Sequence, residues 1–211
     1  LAVNAKSRWQ TVKALAKAAR SRPGRLKVAS VGRGSVSHLA GALFERAAGI
    51  ELVHVAFEGA QPAVQALIRG DVDLYFGTPP TFLPHVRSGA VRALATTALH
   101  KAEVFPALPT MAEDYPGFEV EGWQAVFAPP GTPAAEVARL HERVAGVMAL
   151  PDVRRRLTRQ GFRLATSTPA QLAGRIATEV ARWREMVAFT GMRLFEPGGP
   201  ELGAAVPSAE A

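Results

Sequence analysis

Apolar residues along the first part of the chain recur in patterns that alternate between helix and strand spacing. Helical spacing predicts a helix over Trp9–Arg22. The short apolar run Leu26–Val31 predicts a strand that leads into a turn. Ser35 is then placed to cap a second helix, and Gly49 stands where a left-handed residue would end it.

The same order of strand, turn and helix then repeats. Pro62 is well placed for the first position of a helix, and Gly70 follows that helix. We expect Gly77–Pro84 to be a loop. The further predicted strands are Glu51–Phe57, Val72–Phe76 and Val91–Thr97. Strands that alternate with helices favour an α/β domain with a mostly parallel sheet.

The rest of the chain is predicted to be mostly helical. Lys101–Tyr115 reads as irregular and Glu119–Phe127 as extended. The predicted helices are Thr132–Ala149, Pro151–Gln160 and a long one opened by Thr168 and Pro169. These helices need a partner surface that the chain after Gly131 does not supply. Together with a first residue that is Leu1 rather than methionine, this predicts that N-terminal sequence is missing.

These patterns predict three segments. An α/β part is expected to be followed by a mostly helical part and, at residues 196–211, by a disordered tail rich in glycine, proline and alanine. Along the long helix, one face carries an apolar stripe that we expect to remain partly uncovered. Its members are Leu172, Ile176, Val180, Trp183 and Val187.

Composition narrows the class of function. The chain has 211 residues, 48% of them hydrophobic, and no cysteine, which excludes disulfides and thiolate chemistry. No run approaches the roughly 20 apolar residues that span a bilayer, so no direct membrane insertion is expected. The net charge of +7 suits anionic small ligands. The densest run of positive residues, Arg154–Arg156, is interpreted as a solvated helix face. No nucleic acid partner is expected, because no aromatic residues alternate with this run.

The strand–turn–helix at Val28–Leu39 is the first candidate for ligand binding. Gly32 and Gly34 let the backbone approach a ligand. The helix start offers unpaired N–H groups at the positive end of the helix dipole. With the hydroxyl of Ser35, this forms an anion site suited to carboxylate or phosphate. A plain turn with an N-cap explains the same residues, so both interpretations stay open.

A second loop of the same geometry follows Phe57. Backbone N–H groups from Gly59 to Gln61, including Ala60, are expected to face the same crevice as the first loop. An ordinary connection between strand and helix is the alternative.

Enzyme chemistry is poorly supported. Ser35, Ser37 and His38 suggest a nucleophile and a base, but no G-x-S-x-G pattern surrounds them, and His38 is expected to pack or hydrogen-bond beneath the loop. The histidines lack metal-ligand spacing, so no metal or cofactor is expected. Asp71 and Asp73 suit a cap-and-turn role better than acid–base chemistry.

Several segments, taken in order, resemble the substrate-binding receptors of tripartite tricarboxylate transporters, the Bug or TctC-like family. The resemblance covers about residues 1 to 190. The matching segments are Ala18–Gly24, Gly32–Ala40, Val55–Ala63, Leu67–Asp73, Ser88–Ala95, Leu108–Glu113 and Trp123–Pro133.

The resemblance implies a type II periplasmic-binding fold, in which two α/β lobes with mostly parallel sheets close on a carboxylate or an amino acid. It implies a periplasmic receptor, not an enzyme, that delivers its ligand to membrane transporter subunits from other chains. On this resemblance, residues 4–121 correspond to the second α/β lobe, which carries the ligand loops, and residues 122–195 to a mostly helical segment that returns to the first lobe. The opening segment of the first lobe has no counterpart here. The ligand-binding residues expected are Gly34, Ser35, Ser37, His38, Gly59, Ala60, Gln61 and Thr78.

The second loop departs from the family pattern. Glu58 stands where a basic residue is usual, and Phe57 stands where a tyrosine is usual, which alters the charge and polarity of the crevice. The identity of the ligand therefore stays open. The alternatives are a ligand-sensing domain of the same fold, a truncated remnant that binds nothing, and a hydrolase centred on Ser35.

Overall fold

The computed structural model describes residues 1–191. Its strands are β1 Ala2–Asn4, β2 Lys27–Ser30, β3 Val53–Ala56, β4 Leu74–Tyr75 and β5 Val91–Ala93. Its helices are α1 Val12–Ser21, α2 Val36–Ala48, α3 Ala60–Arg69, α4 Pro79–Arg87, α5 Met111–Asp114, α6 Ala134–Ala149, α7 Pro151–Arg159 and α8 Pro169–Thr190. The predicted tail at 196–211 lies outside the described residues.

The five strands form one mixed sheet in the order β3-β2-β4-β1-β5. β2 is parallel to both β3 and β4, whereas β1 is antiparallel to β4 and β5. All strands except β1 therefore run the same way, which agrees with the predicted mostly parallel α/β sheet. β1 was not predicted, because a three-residue strand is defined by its pairing partners rather than by a local pattern.

The helices of residues 1–121 cover both faces of this sheet. One cluster of buried side chains joins α1 and α2 to β2, with Phe44 at its centre and fully buried. A second cluster on the opposite face joins α3 and α4 to the sheet through Val64, Leu67 and Phe82. Successive connections thus leave β2 and β4 toward opposite faces, which opens a crevice between two neighbouring strands.

Two sequence predictions in this region were wrong. Residues Gly77–Pro84 are not a loop, because α4 begins at Pro79 with Thr78 as its N-cap. Proline is tolerated at the first helical positions, where its missing N–H has no partner to lose, and the helix continues through Pro84. α3 begins at Ala60, so Pro62 is its third residue rather than its first.

Smaller differences concern element ends. The first helix begins at Val12 because the Thr11 side chain accepts the N–H of Ala14 and caps it. The irregular segment 101–115 contains α5, which a capping box at Thr110 opens. Residues 119–127 form no strand, although the N–H of Val120 donates to the carbonyl of Thr97.

The helices α6, α7 and α8 match their predicted positions closely, but none contains a buried residue. α8 packs on α2, and its Trp183 and Met186 contact the cluster around Phe44. Val180, from the predicted apolar stripe, is 45% exposed. No helix within residues 1–191 has both the length and the apolar character needed to cross a membrane.

Candidate functional site

Three parallel strands bring three helix starts to one edge of the sheet. The residues that follow β2, β3 and β4 lead directly to the N-caps Ser35, Gly59 and Thr78. Because β2 is parallel to both of its neighbours, these caps lie at the same, carboxyl edge. This edge is where ligands gather in open α/β sheets, at the point where connections diverge to opposite faces. We call the space between these three loops the crevice.

The first loop is held by hydrogen bonds within itself. Ser30, at the end of β2, is fully buried, and its Oγ accepts the N–H of Gly32 at 3.2 Å. Ser37 Oγ accepts the N–H of Val31 at 3.1 Å. The loop is therefore shaped in advance of any ligand, with its own polar groups largely satisfied.

Ser35 acts as the N-cap of α2, as predicted. Its Oγ accepts the N–H of His38 at 3.3 Å and donates to the carbonyl of Gly32 at 2.7 Å. A hydroxyl has one proton, so the 3.0 Å contact with Ser37 is a bond that Ser37 donates. The proton of Ser35 is thus used inside the loop, and direct donation by Ser35 to a ligand stays a prediction.

The free donors of this loop are on the backbone. Within the part of the chain that the structure describes, the N–H groups of Val36 and Ser37 donate to no protein acceptor. These are the first two helical positions of α2, where an N–H has no partner one turn earlier. Their dipoles and the helix dipole make this end favourable for an anion.

The second loop supplies the same kind of group. Gly59 is the N-cap of α3 and has φ of +115°, a conformation that favours glycine. Because glycine has no side chain, no side-chain cap occupies the first N–H groups of this helix. Within residues 1–191, the N–H groups of Ala60 and Gln61 also donate to no protein acceptor. The predicted loop residues Gly59, Ala60 and Gln61 are therefore backbone donors beside the first loop.

The third loop is different in character. Pro79 and Pro80 give α4 no N–H at its first two positions. Its polar groups are the hydroxyls of Thr78 and Thr81, whose oxygens lie 3.1 Å apart. Thr78 therefore brings a hydroxyl to the edge rather than a nest of backbone donors.

Two histidines stack at the base of the first loop. The rings of His38 on α2 and His54 on β3 are 3.8 Å apart and nearly parallel. His38 Nδ1 accepts the N–H of Gly34 at 3.1 Å, and His54 Nε2 lies 2.6 Å from Ser30 Oγ. Burial, His54 and Arg33 lower the pKa of His38 to about 4, and burial and Arg33 lower the pKa of His54. Both rings are therefore neutral at pH 7.

Sequence reasoning missed Ser30 and His54, although the strand register contained a signal. Val28 pairs with His54, and Ser30 pairs with Ala56. Since alternate residues share a face, Ser30 and His54 lie on the same face of the sheet as Val28, which packs against α2. A predicted parallel pairing in this register would have placed His54 beneath His38.

The serine-hydrolase alternative is not supported by this arrangement. Ser35 Oγ accepts the main-chain N–H of His38, and Nδ1 of the His38 ring accepts the N–H of Gly34 rather than contacting Ser35. Ser30 does contact an imidazole, but it is fully buried and bonded within its loop. A nucleophile needs both an oriented base and access to the substrate.

The helical part of the chain reaches the rim of the crevice. A Cβ at Gly122 would lie 3.7 Å from Val36, at the start of α2. A Cβ at Gly161, after α7, would lie only 2.8 Å from the Cβ of Pro79, at the start of α4. Trp123 lies half-buried, with the Arg175 guanidinium 5.1 Å from its ring centre. The rim thus includes residues from both parts of the chain.

Comparison with known proteins defines the class. The chain is similar to the solved periplasmic binding protein BugD, with a TM-score of 0.84 and 30% identity over 90% of this chain and 64% of that one. It is also similar to an R. palustris protein with adipate, with a TM-score of 0.86, 30% identity, and the same shares covered. MatC from Rhodopseudomonas palustris with bound malate gives 0.78 and 33%, over 88% and 65%. The fold is that of periplasmic binding proteins, as predicted.

The model of the tripartite tricarboxylate transporter family receptor matches residues 1–192, and the chain belongs to this family. A Pseudomonas sp. protein from the tcbD-tcbE intergenic region is 40% identical over 89% of this chain and 56% of its own length. Protein BugT of Bordetella pertussis is 35% identical over 92% of this chain and 60% of its own length. The chain thus spans well under two thirds of these curated relatives. The homologues are solute-binding receptors rather than enzymes, as the resemblance implied.

Proposed function

We propose that the crevice binds one carboxylate group of a small organic acid. On this proposal the protein acts in the periplasm as a receptor, or as part of one, that delivers the acid to a tripartite transporter. The observation that carries the proposal is the pairing of two helix starts with free backbone donors. Val36 and Ser37 supply one set, and Ala60 and Gln61 supply the other. Four free N–H groups at the same edge of the sheet suit an anion with two oxygens.

The charges around the crevice favour binding from the side of the first loop. Arg33 is exposed in that loop, and its positive charge contributes to the lowered pKa values of His38 and His54. Glu58 is exposed in the second loop and would repel a carboxylate. A carboxylate held between the starts of α2 and α3 would therefore lie on the Arg33 side of the crevice, away from Glu58.

The relatives support an acid of the same general class. One similar structure contains adipate and another contains malate, and both are dicarboxylates. Family membership supports a transporter as the partner and the periplasm as the location. Which acid this chain binds depends on the exposed Glu58, and on rim residues beside Gly122 and Gly161.

Removing one backbone donor tests the proposal. Val36→Pro deletes the N–H at the first position of α2, where proline fits a helix. Ser35 has ψ of 159°, as a residue before proline requires. Affinity for adipate and malate should fall by about 1.5–3 kcal/mol, the value of a hydrogen bond to a charged group.

The matched control is Ala134→Pro, the same change at the first position of α6, after a residue with ψ of 140°. Isothermal titration of both variants and the native chain gives the comparison. Equal affinities in the two variants would count against binding at the start of α2.

A further inference from the structure

His38 has two ring nitrogens, and the structure gives one of them a task inside the protein. Nδ1 accepts the N–H of Gly34 at 3.1 Å. Gly34 has φ of +75°, a left-handed conformation, so the loop bends sharply at the residue that the imidazole holds. The bond spans the turn that separates β2 from α2 and closes it from the helix side.

This contact requires one form of the ring. To accept a hydrogen bond, Nδ1 must carry no proton, so the neutral ring carries its proton on Nε2. Protonation of Nδ1 would remove the acceptor and set two N–H groups against each other. The parallel stack on His54 favours the same neutral form, because two charged rings 3.8 Å apart would repel.

The groups that act on the pair come from three elements. Arg33 of the loop and His54 of β3 are the charged or titratable neighbours that lower the pKa of His38, after burial. His54 is fixed in turn by the 2.6 Å contact with Ser30, whose oxygen also accepts the N–H of Gly32. β2, β3, the loop and α2 are thereby joined through the three side chains of Ser30, His54 and His38 and through two backbone amides.

We propose that His38 is a positioning residue, whose Nδ1, held in place by the stack on His54, keeps the Gly32–Ser35 loop in the shape that presents the Val36 and Ser37 N–H groups to an anion. This role in binding rests on the proposed function, whereas the effect on the loop does not. The sequence predicted that His38 would pack or hydrogen-bond beneath the loop, and the hydrogen bond from Gly34 agrees with this. Its expected contact with the ligand stays a prediction.

Two amide variants separate the two nitrogens. In His38→Asn the side-chain oxygen can take the place of Nδ1, while in His38→Gln the amide lies nearer the place of Nε2. We expect His38→Asn to keep the Gly34 amide protected from hydrogen exchange. In His38→Gln that amide should exchange up to about tenfold faster, and adipate affinity should fall by a similar factor, as the loss of one hydrogen bond implies.

A second measurement does not depend on either variant or on a ligand. Nitrogen-15 NMR of the native chain should show His38 with an unprotonated Nδ1, and with a pKa well below the ordinary value of a histidine. His141→Gln is the control and should leave the Gly34 amide unchanged. A protonated Nδ1 at pH 7, or faster Gly34 exchange in His38→Asn than in His38→Gln, would overturn the proposal.

The failure of the proposed function would look different. If adipate and malate do not bind the native chain, but Nδ1 is unprotonated and only His38→Gln frees the Gly34 amide, the loop role of His38 stands and the carboxylate role of the crevice falls. If the acids bind and His38→Gln binds them as well as the native chain does, the positioning role is wrong and the proposed function stands.

Discussion

The two parts of this chain use their apolar residues in different ways. Residues 1–121 bury two clusters of side chains on opposite faces of a sheet. In contrast, α6, α7 and α8 contain no buried residue. Large apolar side chains in residues 122–191 remain exposed, among them Val126 at 77% and Phe127 at 63%. The first part is stabilised by its own core, whereas the second is attached to it mainly through α8.

This difference bears on where ligand chemistry can be built. A site needs groups held in fixed positions, and the first and third crevice loops follow β2 and β4, whose residues are mostly buried. The helical part contributes Gly122 and Gly161 to the rim, next to α2 and α4. It can therefore affect access and shape without supplying the donors. The relatives are longer than the span that this chain matches.

The largest expected effect is a contrast between two phenylalanines. Phe44 is fully buried and contacts Phe76 and Tyr115 edge to face, so Phe44→Ala should cost about 3–5 kcal/mol of unfolding free energy. Phe127→Ala removes a side chain that is mostly exposed, and should change stability by less than about 0.5 kcal/mol. Urea unfolding followed by circular dichroism measures both. Similar costs would mean that the helical part has a core of its own.

A second contrast tests the contact between the parts. Gly161 has φ of +93°, and an added Cβ would also lie 3.3 Å from Val104. Gly161→Ala should therefore cost more than the roughly 1–2 kcal/mol of left-handed strain. Gly131→Ala is the control, since φ there is +80° and no atom lies within 4 Å. Thermal melting of both variants gives the difference, and equal losses would show that Gly161 does not need its close contact with Pro79.

A third contrast concerns acid. His38 and His54 have lowered pKa values in the folded chain, so the unfolded chain binds protons first as the pH falls. Stability should be complete above about pH 6.5 and decline toward pH 4, near the folded pKa of His38. The double variant His38→Asn and His54→Asn should show a shallower decline over this range. The free energy of unfolding is measured by urea titration at each pH. If it declines with falling pH as steeply in the double variant as in the native chain, the acid sensitivity belongs to other groups.

The sequence predicted features that depend on neighbouring residues. Ser35 as a cap and Gly49 as a left-handed helix end are local, and both were confirmed. α4 was missed because a segment with three prolines is typical of a loop. Pro79 and Pro80 fit a helix only because they occupy its first two positions, which the sequence pattern did not reveal. β1 was missed because Ala2–Asn4 is a strand only beside β4 and β5. The His38–His54 stack depends on the register of two strands and on a helix above them, so no short motif reveals it.

The most direct test of the central claim is an NMR titration of the isotope-labelled chain with adipate and malate at pH 7. We predict that the amide signals of Val36, Ser37, Ala60 and Gln61 shift together and saturate with either acid. Dimethyl adipate, which has the same carbon chain without charge, should leave them in place. No shift at these amides, or equal shifts with the uncharged diester, would contradict carboxylate binding at the paired starts of α2 and α3.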